Sequence, residues 1–123
     1  IRHIRNCFPN ASILLISVSD KSFKENMEFI TIPSIPYLVK TQEKIARKNK
    51  IAYWNLYEAM GGYNSMVRWV EGDTVLANKD YTHLNFRGAR KVAELLYKHL
   101  MKEYKNSCTN PPLFTTNLVS YKK

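Results

Sequence analysis

The sequence is poor in cysteine, in histidine and in long apolar runs. Its two cysteines, Cys7 and Cys108, stand near opposite ends of the chain and match neither a zinc-ligand spacing nor a Cys-x-x-Cys redox pair. Free thiols are the expectation, and a bridge between the first and last helices would need both to reach one face. No stretch approaches the roughly 18 consecutive apolar residues of a membrane-spanning helix, and no charged-then-apolar leader stands at the start. The three histidines, His3, His83 and His99, are too scattered to suggest a metal centre, and His99 falls on a helix where packing or solvent is its expected environment. Internal repeats and low-complexity tracts are missing as well.

Acidic residues are scarce too. Ten Asp and Glu against nineteen Lys and Arg give a formal charge of +9, which attracts anionic polymers and surfaces. The basic residues are nevertheless dispersed. The densest run, "KIARKNK" from Lys44 to Lys50, reads as the polar side and C-terminal end of a helix, where cations complement the helix dipole. With no recognisable nucleic-acid-binding motif, a nucleic-acid partner is not expected.

What is present is the composition of one globular domain: 123 residues, 45% hydrophobic and 24% charged. "IRHIRNCFPNAS" reads as a helix entered midway and stopped at Pro9-Asn10, which predicts that these residues are the C-terminal part of something longer. "SILLISVSD", Ser12 to Asp20, is a continuous Ile/Leu/Val run typical of a strand buried on both faces. "KSFKENMEFITIPSI" reads as a polar loop leading to a helix at Pro33 and Pro36. In that helix Ile35, Leu38, Val39, Gln42, Ile45 and Ala46 share one side, which needs a sheet to cover it. "KIAYWNLY", Lys50 to Tyr57, is a second β-prone run, so strand, helix and strand predict a parallel βαβ unit. A long aperiodic segment follows, broken at Gly61-Gly62. Helical spacing resumes from Phe86 to about Tyr104, with Asn85 as its N-cap. The Pro-containing tail beyond reads as an extension or linker.

The stretch with chemical potential is "KDYTHLN", Lys79 to Asn85. Asp80 and His83 are three residues apart, close enough for the carboxylate to hold Nδ1–H of the ring within one turn and leave Nε2 as a base. By itself Asp-x-x-His is also compatible with a plain turn.

The order "ILLISVSD", then "IPYLVKTQEKIARKNKIAYWNLYEAMGGYNSM", then "KDYTHLNFRGARKVAELLYKHL" resembles the C-terminal portion of the SGNH/GDSL hydrolase family. The likeness is to lipase/acylhydrolases that handle bacterial polysaccharide and peptidoglycan. Its most specific parts are "NLYEAMGGYNSM", "DYTH" and Gly88. The resemblance implies a flavodoxin-like three-layer α/β/α fold. Residues 1–104 would be the C-terminal portion of that domain and 105–123 an extension or linker. It also implies ester hydrolysis by a Ser-His-Asp triad without metal or other cofactor, in which the family's closing motif maps onto Asp80 and His83.

No "GDS" or "GxND" occurs in these residues. The serine and the oxyanion-hole donors are therefore expected in an upstream segment of the same domain, and the 123 residues alone are expected to be inert. Ser17 and Ser19 stand at a strand end with no small-residue elbow around them and are expected to be ordinary polar residues. Ser65, Met66 and Trp69 belong to the loop that the resemblance places near the mouth of the site. Met66 and Trp69 could form one apolar wall there, shaping an acyl or sugar pocket, or could simply pack the loop onto the closing helix. The expected partner is an ester substrate, with acylated carbohydrate favoured by the family likeness, in an extracytoplasmic setting. Two other readings remain open from the residues alone: a basic, tyrosine-rich module that binds an acidic polymer or nucleic acid, and a family fold without catalysis.

Overall fold

The structure, a computed structural model, describes residues 1–109. It is a mixed α/β arrangement in the order α1 (Arg2–Cys7), β1 (Leu14–Ile16), β2 (Ser22–Glu25), β3 (Glu28–Thr31), α2 (Ser34–Lys48), β4 (Ala52–Trp54), α3 (Leu56–Met60), α4 (Ser65–Glu71) and α5 (Phe86–Thr109). The last helix runs past Tyr104 to Thr109, so the first residues of the expected extension are helical, and residues 110–123 lie outside the described part.

The expected parallel unit is present. β1 and β4 pair in parallel, with Leu14 opposite Ala52, Leu15 opposite Tyr53 and Ile16 opposite Trp54, and α2 is the crossover between them. One side of α2 closes over this pair. Ala46 packs with Ile51 and Tyr53, where Ile13 and Leu15 join, while Ile35 and Val39 pack with Tyr57. Gln42, the polar member of the stripe, accepts a hydrogen bond from the Val18 N–H at 3.0 Å, and so continues the backbone pairing beyond the strand. Arg5 of α1 donates to the Asn49 and Lys50 carbonyls at the end of α2.

Burial of the first strand on both faces is not what the structure shows. Strand pairing is limited to three residues, and Leu14 and Ile16 remain 36% and 40% exposed. Side chains alternate across a strand. α2 meets the Leu15 side, and among the described residues nothing comparable covers the Leu14 and Ile16 side. Leu38 and Ile45, on the predicted apolar side of α2, also stay exposed, so only the Ile35, Val39 and Ala46 part of that side is covered.

Two further expectations are corrected. The polar excursion is an antiparallel hairpin, with β2 and β3 in register from Ser22↔Thr31 to Glu25↔Glu28. Its two turn residues, Asn26 and Met27, have φ of 47° and 70°. A tight hairpin turn of this kind demands positive φ at both positions and is signalled by Asn-Gly; here a methionine takes the second place, which hid the turn. The aperiodic segment after β4 contains α3 and α4, of five and seven residues, too short to display a helical period. Local chemistry marks α3 better than periodicity does. The Asn55 side chain accepts from the Glu58 N–H at 3.1 Å, and Gly61 ends the helix at φ 115°. Cys7 and Cys108 are free and exposed.

A third core cluster joins these short helices to α5. Met60, Met66, Trp69, Val70 and Ala77 are buried together, flanked by Leu84 and Val92. Gly88 sets how closely α5 can approach it: a Cβ at this position would lie 1.9 Å from the Leu76 carbonyl oxygen. Gly88→Ala is therefore expected to push α5 off the 76–85 segment at a cost of about 2–3 kcal/mol. Chemical denaturation measures this, and a loss under about 0.5 kcal/mol would mean that the helix is not seated as described.

Candidate active site

The segment between α4 and α5 is held closed at its base. Ala77 and Leu84 form an antiparallel bridge, the Asn78 N–H donates to the His83 carbonyl at 2.8 Å, and the Asn85 N–H donates to the Leu76 carbonyl at 3.1 Å. Asn85 then starts α5: its Oδ1 accepts from the Gly88 N–H at 3.0 Å and its Nδ2 donates to the Val75 carbonyl at 2.9 Å. Asn85 is thus the N-cap expected from the sequence, and it fastens the helix to the loop as well.

Within this closed loop Asp80 organises a turn. One carboxylate oxygen, Oδ1, accepts from the N–H groups of Thr82 and His83, each at 2.9 Å. The other, Oδ2, lies 2.8 Å from Nδ1 of His83. Local Asp side chains favour such turns because the carboxylate can substitute for a backbone acceptor two or three residues on. The two N–H groups and the imidazole hold the Asp80 carboxyl well below its usual range, at about 2, the His83 backbone bond contributing most. At neutral pH an ionised carboxylate can only accept. Nδ1 of His83 must then carry its proton, and in the neutral ring Nε2 is left with a free lone pair. The His83 side chain is 74% exposed and that of Asp80 49%.

Because the Asp80 pKa is lowered on folding, the favourable contribution of its contacts is fully present above the ordinary carboxylate value. It is lost as pH falls from about 3.8 towards 2. Carbon-detected NMR titration of Asp80 is expected to give a midpoint near 2; a midpoint in the ordinary carboxylate range would show that the turn does not hold in solution.

Ser65, Met66 and Trp69, expected at the mouth of a pocket, are inside the fold. Ser65 and Met66 are 0% exposed and Trp69 is 8% exposed. Trp69 donates its indole N–H to the Met60 carbonyl at 3.1 Å, and Met66 and Trp69 sit in the cluster that carries α5. Their i, i+3 spacing reflects the buried side of α4, the packing alternative. Ser17 is likewise structural, its hydroxyl linking Val18, Asn55 and the Tyr57 N–H. Ser19 is half-buried. Among the described residues no serine hydroxyl is within hydrogen-bonding distance of His83, and no group of three or more His, Cys, Asp and Glu is placed to hold a metal.

Sequence reasoning missed Asp20. It is fully buried, and its carboxylate collects four donors: the Lys21 N–H at 2.9 Å, the Thr31 hydroxyl at 3.1 Å, the Ser65 hydroxyl at 3.3 Å and the Met66 N–H at 2.8 Å. Thr31 and Asn64 add a reciprocal pair, with the Asn64 N–H donating to the Thr31 hydroxyl at 2.7 Å and the Thr31 N–H donating to the Asn64 side chain at 2.9 Å. The hairpin is thereby stapled to the start of α4. Two residues after Asp20, the Ser22 N–H donates to the Tyr81 carbonyl at 3.0 Å, so the same hairpin also touches the Asp80–His83 turn. An aspartate closing an apolar run was the available signal, but only the fold identifies its donors.

A parallel strand pair with a crossover helix, followed by a loop that presents an Asp–His pair in front of a long closing helix, describes a partial α/β fold. No family model matches the chain, and no curated protein matches it. Among solved structures the chain is similar to one described as a peptidoglycan O-acetylesterase in action, with a TM-score of 0.76 and 27% identity over 85% of this chain. The chain spans about 30% of the length of that structure. The likeness supports an SGNH-like, partial α/β fold for this chain. No helix among the described residues is long and apolar enough to cross a membrane.

Proposed function

We propose that the protein is a serine ester hydrolase acting on O-acetyl groups of carbohydrate, with peptidoglycan the favoured polymer, and that Asp80 and His83 are two members of its catalytic triad. The observation carrying this reading is the 2.8 Å contact between Asp80 Oδ2 and His83 Nδ1 beside a largely exposed imidazole. The structural likeness to a peptidoglycan O-acetylesterase supports the choice of ester.

In the proposed reaction the nucleophilic serine and the oxyanion donors come from outside these 123 residues. His83 Nε2 removes the serine proton as the hydroxyl attacks the acetyl carbonyl, and the resulting imidazolium is stabilised by the Asp80 carboxylate. Collapse of the tetrahedral adduct expels the sugar hydroxyl, which takes its proton from Nε2. Water, deprotonated by the same nitrogen, then attacks the acyl-enzyme, and as the acyl–serine bond breaks Nε2 returns the proton to the serine oxygen, releasing acetate. Asp80 keeps the ring in the Nδ1–H tautomer throughout.

A fluorophosphonate probe is expected to label one serine of the full-length protein, and the protein is expected to release acetate from O-acetylated peptidoglycan. A full-length protein that is folded, unlabelled and unable to release acetate would overturn the reading.

A further inference from the structure

We propose that Tyr81 is the positioning residue of the Asp80–His83 pair: its ring, hydroxyl and carbonyl fasten the turn between the two side chains to the hairpin and to α4. The proposal rests on the reading of Asp80 and His83 as catalytic partners.

Tyr81 has a φ of 53°, the left-handed region where the Cβ of an L-residue crowds a carbonyl and where a bulky residue is rare. A conformation of this sort persists only where its surroundings over-determine it, and it concentrates at functional sites. Three elements hold Tyr81. The Phe29 ring on β3 stacks on its ring with centroids 3.6 Å apart and planes 9° apart. Glu71, at the end of α4, accepts from its hydroxyl at 2.6 Å. Ser22, at the start of β2, donates its N–H to the Tyr81 carbonyl at 3.0 Å, while the Tyr81 N–H donates to the Asn78 carbonyl at 3.0 Å. The Glu71 carboxylate also raises the Tyr81 pKa, so the phenol remains a neutral donor at physiological pH.

A glycine would adopt this φ without the steric cost. The backbone shape of the turn therefore does not explain a tyrosine whose ring and hydroxyl are both engaged; the side chain is held for what it fastens. Its neighbours in the chain are Asp80 and Thr82, and Asp80 Oδ1 reaches across it to the Thr82 and His83 N–H groups. Rotation of the 80–82 peptides would pull that oxygen from its donors and turn Oδ2 away from Nδ1. The His83 ring is hydrogen-bonded to Asp80 and the Tyr81 ring is stacked on Phe29, so the effect of Tyr81 passes through Asp80.

The test compares Tyr81→Phe and Tyr81→Gly in the full-length protein. The Phe variant keeps the stack and loses the Glu71 bond, whereas the Gly variant keeps the backbone freedom and loses both. Steady-state kinetics on an acetyl ester are combined with the ¹⁵N shifts of the His83 ring, which report its tautomer. Tyr81→Gly is expected to lower kcat about 100-fold with KM within about threefold, and to shift His83 from the Nδ1–H form to a mixture of tautomers. Tyr81→Phe is expected to lower kcat about fivefold. A folded Gly variant with wild-type kcat and wild-type tautomer overturns the proposal. Should the Gly variant fail to fold, the Phe variant decides, and wild-type values in both measurements overturn it. Failure of the esterase reading is distinguishable: the wild-type protein would then turn over no ester, and the tautomer comparison alone would decide the role of Tyr81.

Discussion

His83→Ala in the full-length protein is expected to lower kcat for an acetyl ester by about 10⁴-fold while leaving KM within a few-fold. The imidazole takes part only as the proton moves, so its loss removes transition-state stabilisation and leaves substrate binding nearly intact. The ring is largely exposed and supports no core contact, so the variant is expected to unfold at the same denaturant concentration as the wild type. This separates lost chemistry from lost structure. Asp80→Asn is expected to fall almost as far, for a different reason: an amide turned to donate to Nδ1 would stabilise the tautomer that has no lone pair at that nitrogen's partner position, Nε2. Activity of His83→Ala within tenfold of wild type would remove His83 from the mechanism.

The largest effect on stability is expected at Asp20. Asp20→Ala takes the acceptor from the Met66 N–H and from the Thr31 and Ser65 hydroxyls, all in the interior. Buried donors left without partners cost about 1–3 kcal/mol each, part of which hydroxyl rotation recovers. A total loss of about 3–4 kcal/mol follows, equivalent to a fall in Tm on the order of 15 °C for a domain of this size. Asp20→Asn, which keeps one acceptor oxygen, is expected to lose about half as much. Denaturation of the two variants checks this order. An Asp20→Ala protein within 1 kcal/mol of wild type would mean that the carboxylate is not the staple between hairpin and α4. The site should respond as well, because β2 begins two residues after Asp20 and holds the Tyr81 carbonyl through Ser22.

Much of this molecule is local in origin and legible without coordinates. The apolar runs of β1 and β4 and the stripe of α2 are patterns within each element, and the start of α5 at Asn85 and the Asp80–His83 turn depend on residues within a few positions of one another. Side-chain periodicity, an N-capping amide and a carboxylate three residues before a ring act over one or two turns of chain. The hairpin was illegible because Asn26-Met27 carries none of the glycine that usually announces its turn, and α3 and α4 because each is shorter than the period needed to detect it.

Other features depend on residues far apart in the chain. Whether Met66 and Trp69 line a cleft or fill a core is the same pattern on one helix; the choice is made by Met60, Ala77, Leu84 and Val92 arriving on that side. Asp20 is an unremarkable acid at the end of an apolar run until Thr31, Ser65 and Met66 bring it their hydrogens from 11, 45 and 46 residues away. Gly88 is one glycine among four until the Leu76 carbonyl occupies the space where its side chain would be. Short-range chemistry wrote the Asp–His turn into seven consecutive residues. Long-range packing determined what holds that turn in place, because burial and hydrogen-bond partners belong to neighbours in space.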